Sequence, residues 1–228
     1  MIGIIGAMDV EVESIKALLT DTHTENISGV SFVKGQFAGK EIVVAKCGVG
    51  KVFSALCTEA MILKFAPEMI INVGVAGCLT PDLKIGDAVI ADSVCQHDMD
   101  TSPLGDPVGL LSDINIVKIP TDQKVTALLA DAVAEAEVSY KIGTIASGDQ
   151  FVASSEKKEY IKSNFGAISC EMEGGSIGHV CFVNNVPFAV LRTMSDGADD
   201  GANMDFPTFC KMAAENEVKI IEKFLLKA

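Results

Sequence analysis

Short apolar runs alternate along the chain with segments in which apolar residues recur at helical spacing. The first run, residues 2–6, is bounded by glycine and predicts a buried strand. A helix is predicted to follow, with Asp9 as its N-cap and an apolar stripe formed by Val12, Ile15, Leu18 and Leu19. By the same criteria we predict further strands at 31–36, 41–46, 69–73, 87–91, 140–146, 167–170 and 188–194, and further helices at 52–65, 122–135, 156–164, 174–183 and 206–227.

This alternation predicts an α/β fold in which a central sheet lies between helical layers. The segment Ala38-Gly39-Lys40 connects two neighbouring strands as an antiparallel hairpin, so the sheet is expected to be mixed. No internal repeat or linker is visible, and residues 1–228 are predicted to form one domain. Residues 97–121 show little periodicity and contain prolines and glycines, which predicts a long loop of the functional or interfacial kind.

The composition narrows the classes of function. With 18 basic and 31 acidic residues, the chain has a net charge of −13, which opposes binding to nucleic acid. Its apolar runs are far shorter than the roughly 20 residues of a membrane span, so no membrane partner and a cytoplasmic location are expected. Seven cysteines without a CxxC pair predict reduced, buried thiols. His23, His97 and His179 lack zinc-site spacing, so neither a metal nor a cofactor is predicted.

Three acidic residues follow predicted strands. Glu11 comes after the first strand, and Glu173 and Asp196 each follow a later one. Ligands of open α/β sheets usually bind beyond the carboxyl ends of the strands, so these carboxylates are expected to converge if their strands run parallel. Taken singly, each has another explanation, because Glu11 and Glu173 could serve helix N-termini and Ser195-Asp196-Gly197 is typical of a turn.

The three acids lie within longer motifs. These are Ile2-Gly3-Ile4-Ile5-Gly6-Ala7-Met8 followed by acidic residues, Glu171-Met172-Glu173, and Arg192-Thr193-Met194-Ser195-Asp196. Further motifs extend the set over nearly the whole chain, namely Gly48-Val49-Gly50-Lys51, Ile71-Asn72-Val73-Gly74, Ser147-Gly148-Asp149 and His179-Val180-Cys181. The ordered set resembles the methylthioadenosine/S-adenosylhomocysteine nucleosidases of the nucleoside phosphorylase superfamily. The resemblance implies a three-layer α/β/α sandwich around a mixed, twisted sheet, and a homodimer.

The resemblance also implies roles for the acids. Asp196 would protonate N7 of the adenine leaving group, and Glu11 would activate the water that attacks the anomeric carbon. Glu173 would hold the ribose hydroxyls, with Met172 packed against the sugar. These roles agree with the chemistry, because cleavage of an N-glycosidic bond builds positive charge on the ribose and negative charge on the base. Asp196 can act as the acid only if its pKa is raised or if it relays a proton.

The same resemblance implies a substrate pocket. Phe151 would stack near the base, and the main chain of Val152 would read the adenine edge. The pocket for the 5′-alkylthio group would be lined by Met8, Val49 and Phe206. Family members commonly carry a hydroxyl residue where this chain has Val75 and a glycine where it has Cys78, and aromatic residues where it has the loop 104–109. These differences predict lower turnover and an altered preference among 5′ substituents.

A single arginine distinguishes hydrolysis from phosphorolysis. Arg192 is the only arginine among 18 basic residues, and arginine is the side chain best suited to phosphate. Asp9, Glu11 and Glu13 would repel phosphate near the first strand, which favours water as the nucleophile. Arg192 could orient that water or the sugar, or it could form a salt bridge with an acid. The alternatives are another nucleosidase or a phosphorylase of the same fold, and a nucleoside-binding protein with little turnover.

Three further motifs are weaker. Gly48-Val49-Gly50-Lys51 lacks the full spacing of a phosphate-binding loop and favours a tight turn before a helix. His97-Asp98 has no accompanying nucleophile motif, which favours a structural histidine. Ser147-Gly148-Asp149 is interpreted as a segment that fixes a loop.

Overall fold

Strands and helices alternate through the part of the chain that the structure describes. The computed structural model describes residues 1–195 and 206–228, without the side chains of residues 206–211. The strands are β1 (Ile2–Gly6), β2 (Thr20–Ile27), β3 (Val30–Phe37), β4 (Lys40–Lys46), β5 (Met69–Asn72), β6 (Val75–Cys78), β7 (Ala88–Gln96), β8 (Ile119–Pro120), β9 (Tyr140–Ser147), β10 (Ala167–Glu171) and β11 (Phe188–Met194). The helices are α1 (Asp9–Lys16), α2 (Lys51–Phe65), α3 (Gln123–Glu135), α4 (Ser155–Phe165), α5 (Gly174–Val183) and α6 (Phe206–Lys227).

The strands form one mixed sheet. Its order is β2-β3-β4-β1-β5-β11-β6-β10-β9-β7-β8. Strands β4, β1, β5 and β11 run parallel to one another, whereas β3 and β4 form the expected antiparallel hairpin. Because β7 also pairs with β11, the strands β11, β6, β10, β9 and β7 close into a ring. The predicted mixed α/β architecture is confirmed.

Alternating side chains of the strands belong to two apolar cores, one on each face of the sheet. In β1, Ile2 and Ile4 pack with residues of α1, α3 and α6, whereas Ile5 packs with residues of α2 and α5. A third, smaller cluster lies between α4 and strands β9 and β10. This layering follows from the two-residue period of strands, which sends successive side chains to opposite faces. No helix among the described residues is long and apolar enough to span a bilayer.

Side chains cap the N-termini of α3 and α4, whereas the predicted N-cap of α1 is wrong. The side chain of Asp122 accepts hydrogen bonds from the first turn of α3, and Ser154 caps α4 in the same way. Asp9, however, does not cap α1, because it is the first residue inside the helix and Met8 occupies the N-cap position. Its carboxylate instead pairs with Lys46 at 2.8 Å.

Three strands, β2, β6 and β8, were missed because their sequences lack the expected signals. The edge strand β2 has the sequence TDTHTENI and is mostly exposed, so it lacks an apolar face. The strand β6 is four residues long and contains a glycine, which weakens a strand signal. The predicted loop at 97–121 holds a 3₁₀ turn at Ser102–Leu104 and the two-residue strand β8.

Candidate active site

Glu11 lies in the first turn of α1, directly after β1, and is buried. Its Oε2 accepts hydrogen bonds from the N–H groups of Ala7 at 2.7 Å and Met8 at 2.8 Å, and its Oε1 accepts from Val75 N–H at 3.2 Å. The Met8 N–H belongs to the N-cap residue of α1, so its bond to Glu11 also satisfies the N-terminus of the helix. Burial raises the pKa of Glu11, and the charge of Arg192 and the three N–H groups act against that increase. Such a carboxylate binds a proton more readily than an exposed glutamate does.

Glu173 directly precedes α5 and points toward the turn before α2. Its side chain makes no capping bond, and its Oε1 instead accepts the N–H of Gly50 at 2.9 Å. Gly50 has a positive φ of 96°, a conformation that favours glycine, and residues 49–50 form a bend directly before α2. Burial raises the pKa of Glu173 to about 7, and the charge of Glu171 adds to the increase. Glu173 therefore exchanges its proton in the neutral range.

Arg192 lies in β11 and is 1% exposed. It forms an ion pair with Glu171, donates to Asn72 Oδ1 at 2.6 Å, and lies 3.8 Å from Glu173 Oε2. Burial would lower the pKa of Arg192, but the carboxylates of Glu171, Glu173 and Glu11 raise it above its ordinary value. For Glu171, burial would raise the pKa. The charge of Arg192 and hydrogen bonds from Ser147 and two backbone N–H groups outweigh burial and hold the pKa of Glu171 below its ordinary value. The salt-bridge alternative for Arg192 is therefore present in the structure.

Glu11 and Glu173 converge on Arg192, although their strands are not all parallel. Strand β10 is antiparallel to β6, which is parallel to β11, so β10 and β11 run in opposite directions. The expectation that the strand before Glu173 runs parallel to the strand before Asp196 is therefore wrong. Convergence occurs because β6 is short and begins beside the ends of both neighbours: Val75 pairs with Thr193, and Gly77 pairs with Cys170.

The junction between β5 and β6 leaves no room for a side chain. A Cβ atom on Gly74, whose φ is 151°, would collide with the Arg192 guanidinium and lie 2.6 Å from Glu11 Oε1. The N–H of Gly74 donates to Glu217 Oε1 at 2.8 Å. Burial raises the pKa of Glu217 well above its ordinary value, and the charge of Glu11 adds to the increase.

Two of the residues predicted to bind substrate contact Glu11, and others lie close to the acids in sequence or on exposed loops. Met8 and Val75 contribute the N–H groups that hold Glu11, and Met172 lies between Glu171 and Glu173. Val49 is 51% exposed in the turn before α2, and Phe151 is 71% exposed after β9, followed by the half-buried Val152. Exposed apolar side chains of this kind can contact a ligand.

Two predicted residues cannot be placed in the same way. Asp196 lies outside the described residues, one position beyond the buried Ser195 that follows β11. Phe206 begins α6, and its side chain lies outside the description. The roles predicted for both remain predictions.

The weaker motifs connect the loops around the site. Ser147 donates to Glu171, and Gly175 N–H donates to Ser147 Oγ at 2.5 Å. Asp149 accepts the N–H of Lys51 at 2.7 Å, while the Lys51 ammonium pairs with Asp98 at 2.7 Å. The segment 147–149 thus fixes loops, as predicted.

His97 is buried against Gly148, and burial lowers its pKa. Neither ring nitrogen has a hydrogen-bond partner among the described residues, which agrees with an uncharged structural histidine.

Sequence reasoning missed Glu171 and Glu217. Glu171 was quoted only as part of a motif, although it ends an apolar strand and holds the single arginine. Glu217 had a detectable signal, because it interrupts the apolar stripe of α6 formed by Ala213, Ala214, Ile220, Ile221 and Phe224. An acid at that spacing is expected to be buried and to have a raised pKa.

Comparison with known proteins gives a consistent result. A family model described as the phosphorylase superfamily matches residues 1–226. An aminodeoxyfutalosine nucleosidase of Helicobacter pylori is 41% identical over 225 residues, covering 98% of this chain and 97% of that protein. A 5′-methylthioadenosine/S-adenosylhomocysteine nucleosidase of Shewanella loihica is 38% identical over 226 residues, covering 98% of each.

Solved structures show the same similarity. One is a mutant nucleosidase of Helicobacter pylori with 5′-methylthioadenosine in its active site, which matches with a TM-score of 0.95 and 39% identity over 100% of this chain and 98% of that one. The fold and the family resemblance predicted from the sequence are confirmed.

Proposed function

The chain belongs to the phosphorylase superfamily, and on that premise we propose that it hydrolyses 5′-methylthioadenosine and S-adenosylhomocysteine to adenine and the corresponding thioribose. One observation carries the proposal: a buried Glu11 carboxylate, fixed by three backbone N–H groups, beside the cluster of Glu173, Glu171 and Arg192. A carboxylate in this position suits a base that removes a proton from water.

The proposed reaction uses Glu11 as the general base. As the bond between the anomeric carbon and the purine nitrogen breaks, the sugar gains positive charge, and Glu11 takes a proton from the attacking water. The three N–H groups hold the carboxylate in place, so little reorganisation is needed during the reaction. The raised pKa of Glu11 makes it a stronger base than an exposed glutamate.

Glu173 and Asp196 complete the proposed chemistry. With a pKa of about 7, Glu173 can accept hydrogen bonds from the ribose hydroxyls in its ionised form, and its charge stabilises the cationic sugar. Met172 would pack against the sugar, with Phe151 and Val152 at the base. The pocket for the 5′ group would be lined by Met8, Val49 and Phe206. Asp196 would deliver a proton to N7 of the departing adenine.

The charges around Glu11 support water rather than phosphate as the nucleophile. Arg192 is the cation that the described residues place beside Glu11, and it is already paired with Glu171. Arg192 would orient the acids and, through them, the water and the sugar. An incoming phosphate would meet Glu11 and Glu173 without a free cation to offset their charge.

The decisive assay incubates purified protein with 5′-methylthioadenosine, S-adenosylhomocysteine, adenosine and inosine, with and without phosphate, and measures the released base. Hydrolysis of the two thionucleosides without phosphate is expected. A strict phosphate requirement would contradict the proposal. Nucleoside binding without base release would instead favour a binding protein, an outcome for which Val75 gives a structural reason.

A second substrate has support of its own. The 41% identical relative is named an aminodeoxyfutalosine nucleosidase, and it is matched over 98% of this chain. We therefore propose aminodeoxyfutalosine as an alternative or additional substrate. Values of kcat/KM for the three nucleosides in one assay would rank them and indicate whether the enzyme serves methionine salvage.

An exposed apolar surface supports the expected homodimer. This α2 surface consists of Val52, Phe53, Leu56 and Leu63, whose exposures are 77%, 59%, 39% and 76%. Several exposed apolar side chains on one helix are typical of protein interfaces. We propose that residues 1–228 act as one catalytic domain that pairs through this surface.

We also propose a cytoplasmic location. The described cysteines Cys47, Cys57, Cys95 and Cys181 are buried thiols outside any disulfide, which agrees with a reducing compartment.

A further inference from the structure

Glu217 is a buried acid that the proposed reaction does not use. It lies on the sheet-facing side of α6 and is 0% exposed, with Ala213 and Ala214 before it and Ile220 and Ile221 after it. Burying a carboxylate among apolar side chains is costly unless the charge is paired or neutralised. The position therefore calls for a physical explanation.

Glu217 and Glu11 are held by consecutive peptide groups. Gly74 N–H donates to Glu217 Oε1 at 2.8 Å, and Val75 N–H donates to Glu11 Oε1 at 3.2 Å. Glu11 also accepts two further N–H groups, whereas Oε2 of Glu217 has no hydrogen-bond partner among the described residues. Of the two acids, Glu11 is thus far better provided with donors to hold a negative charge.

The groups facing Glu217 also favour a negative charge on Glu11 and a neutral Glu217. Glu11 on α1 is the anion beside it, and Arg192 on β11 is the cation, already paired with Glu171. The buried face of α3 carries apolar side chains and Thr126, and β6 carries no charged residue. Burial and the charge of Glu11 both raise the pKa of Glu217, and Arg192 and the Gly74 N–H only partly offset them.

From this geometry we propose that Glu217 is a positioning residue that stays protonated. As a neutral carboxyl group it holds the Gly74 peptide, which places Val75 N–H against Glu11, and it leaves the negative charge on Glu11. This inference rests on the proposed function in assigning Glu11 as the base. Its protonation state, however, can be tested without any substrate.

The first test measures unfolding against pH for the wild-type protein, Glu217→Gln and the control Glu222→Gln. Glu222 is exposed on the same helix. An acid whose pKa is raised by folding stabilises the fold fully below its unfolded pKa of about 4.5, and that stabilisation is lost as pH rises toward the folded value. The unfolding constant of the wild type, relative to Glu217→Gln, should therefore grow by up to about tenfold per pH unit above about pH 5.

Glu222→Gln should show no such trend. A ratio between the wild type and Glu217→Gln that stays flat, or falls with pH, would overturn the proposed protonation state, because an ionised Glu217 would stabilise the fold at high pH.

The second test measures turnover. Glu217→Gln is neutral and still accepts the Gly74 N–H, so it should retain kcat within about threefold. Glu217→Leu is neutral but has no acceptor, so kcat should fall at least about tenfold with little change in KM, because the base is displaced rather than the substrate pocket. Circular dichroism establishes that both variants are folded.

Equal losses in Glu217→Gln and Glu217→Leu would refute the proposal, and so would unchanged kcat in a folded Glu217→Leu. A wild-type enzyme that releases no base from any nucleoside would instead refute the proposed function, and the unfolding experiment would still decide the protonation state of Glu217.

Discussion

At the scale of single residues, Glu11 combines burial with three backbone donors, and this combination distinguishes it from the neighbouring acids Asp9 and Glu13. Both of those are paired with lysines at the surface, Asp9 with Lys46 and Glu13 with Lys16. Sequence position made Glu11 a candidate because it follows the first strand, but the burial of each acid depends on the packing of α1 and could not be read from position. The family motif then gave Glu11 the role of base.

Glu11→Gln should lower kcat by about 10² to 10⁴, because the amide cannot accept the proton of the attacking water. Adenine release from 5′-methylthioadenosine provides the measurement. Glu13→Gln is the matched control, since it removes an exposed carboxylate two residues away and should leave kcat unchanged. Comparable rates in the two variants would exclude Glu11 as the base.

Asp196→Asn preserves size but removes the transferable proton, so turnover should fall while folding is intact. Adenine release and the thermal midpoint Tm are measured on the same preparation. Near-normal release would count against Asp196 as the acid. This prediction rests on the family motif, because residue 196 lies outside the described part of the chain.

Val75→Ser should raise kcat by about two- to tenfold, the range that one added hydrogen bond to the attacking water would give. The main chain of Val75 already contacts Glu11, so its side chain begins close to the base. Steady-state kinetics with 5′-methylthioadenosine would check the change. An unaltered kcat would show that the missing hydroxyl does not limit this enzyme.

At the scale of elements, predictability followed the strength of the apolar pattern. Strands β1, β5 and β11 each contain a clear apolar run and were found, whereas the polar β2 and the short β6 and β8 were not. The direction of β10 was also beyond sequence reasoning, because strand pairing depends on contacts distant along the chain. The missed strand β6 is nevertheless what brings Glu173 to Arg192.

Gly74→Ala should destabilise the fold by about 2 to 4 kcal/mol and abolish activity, because the new methyl group adds a collision with Arg192 and Glu11 to backbone strain. Gly39→Ala, in the turn between β3 and β4, is the control. Its φ is 79° and its Cβ would meet no atom within 4 Å, so only strain of about 1 kcal/mol is expected. Denaturant unfolding of both variants would compare them, and equal losses would argue against a crowded junction at Gly74.

At the scale of the whole molecule, the fold class and the family could be predicted from the sequence, and the comparisons confirm both. The ion pair of Arg192 with Glu171 could be anticipated only as an alternative, because nothing in the sequence specifies which acid an arginine reaches. The roles assigned to the site residues remain predictions.

Phe53→Glu should convert the proposed homodimer to a monomer, because it places a charge on the apolar α2 surface. Sedimentation velocity measures the mass in solution. Ile85→Glu is the control, since Ile85 is 37% exposed in a loop outside that surface. A wild type that sediments as a monomer, or a dimeric Phe53→Glu protein, would place the interface elsewhere or remove it.

Both margins of the sheet are poor templates for adding a further strand. At one margin, β2 presents threonine, aspartate, histidine and glutamate to solvent, and at the other β8 is two residues long and ends in Pro120, which has no N–H to donate. Neither edge strand in the described part of the chain therefore offers a neighbouring molecule a long apolar strand with which to pair. Concentrated preparations of this acidic protein should accordingly resist fibril formation.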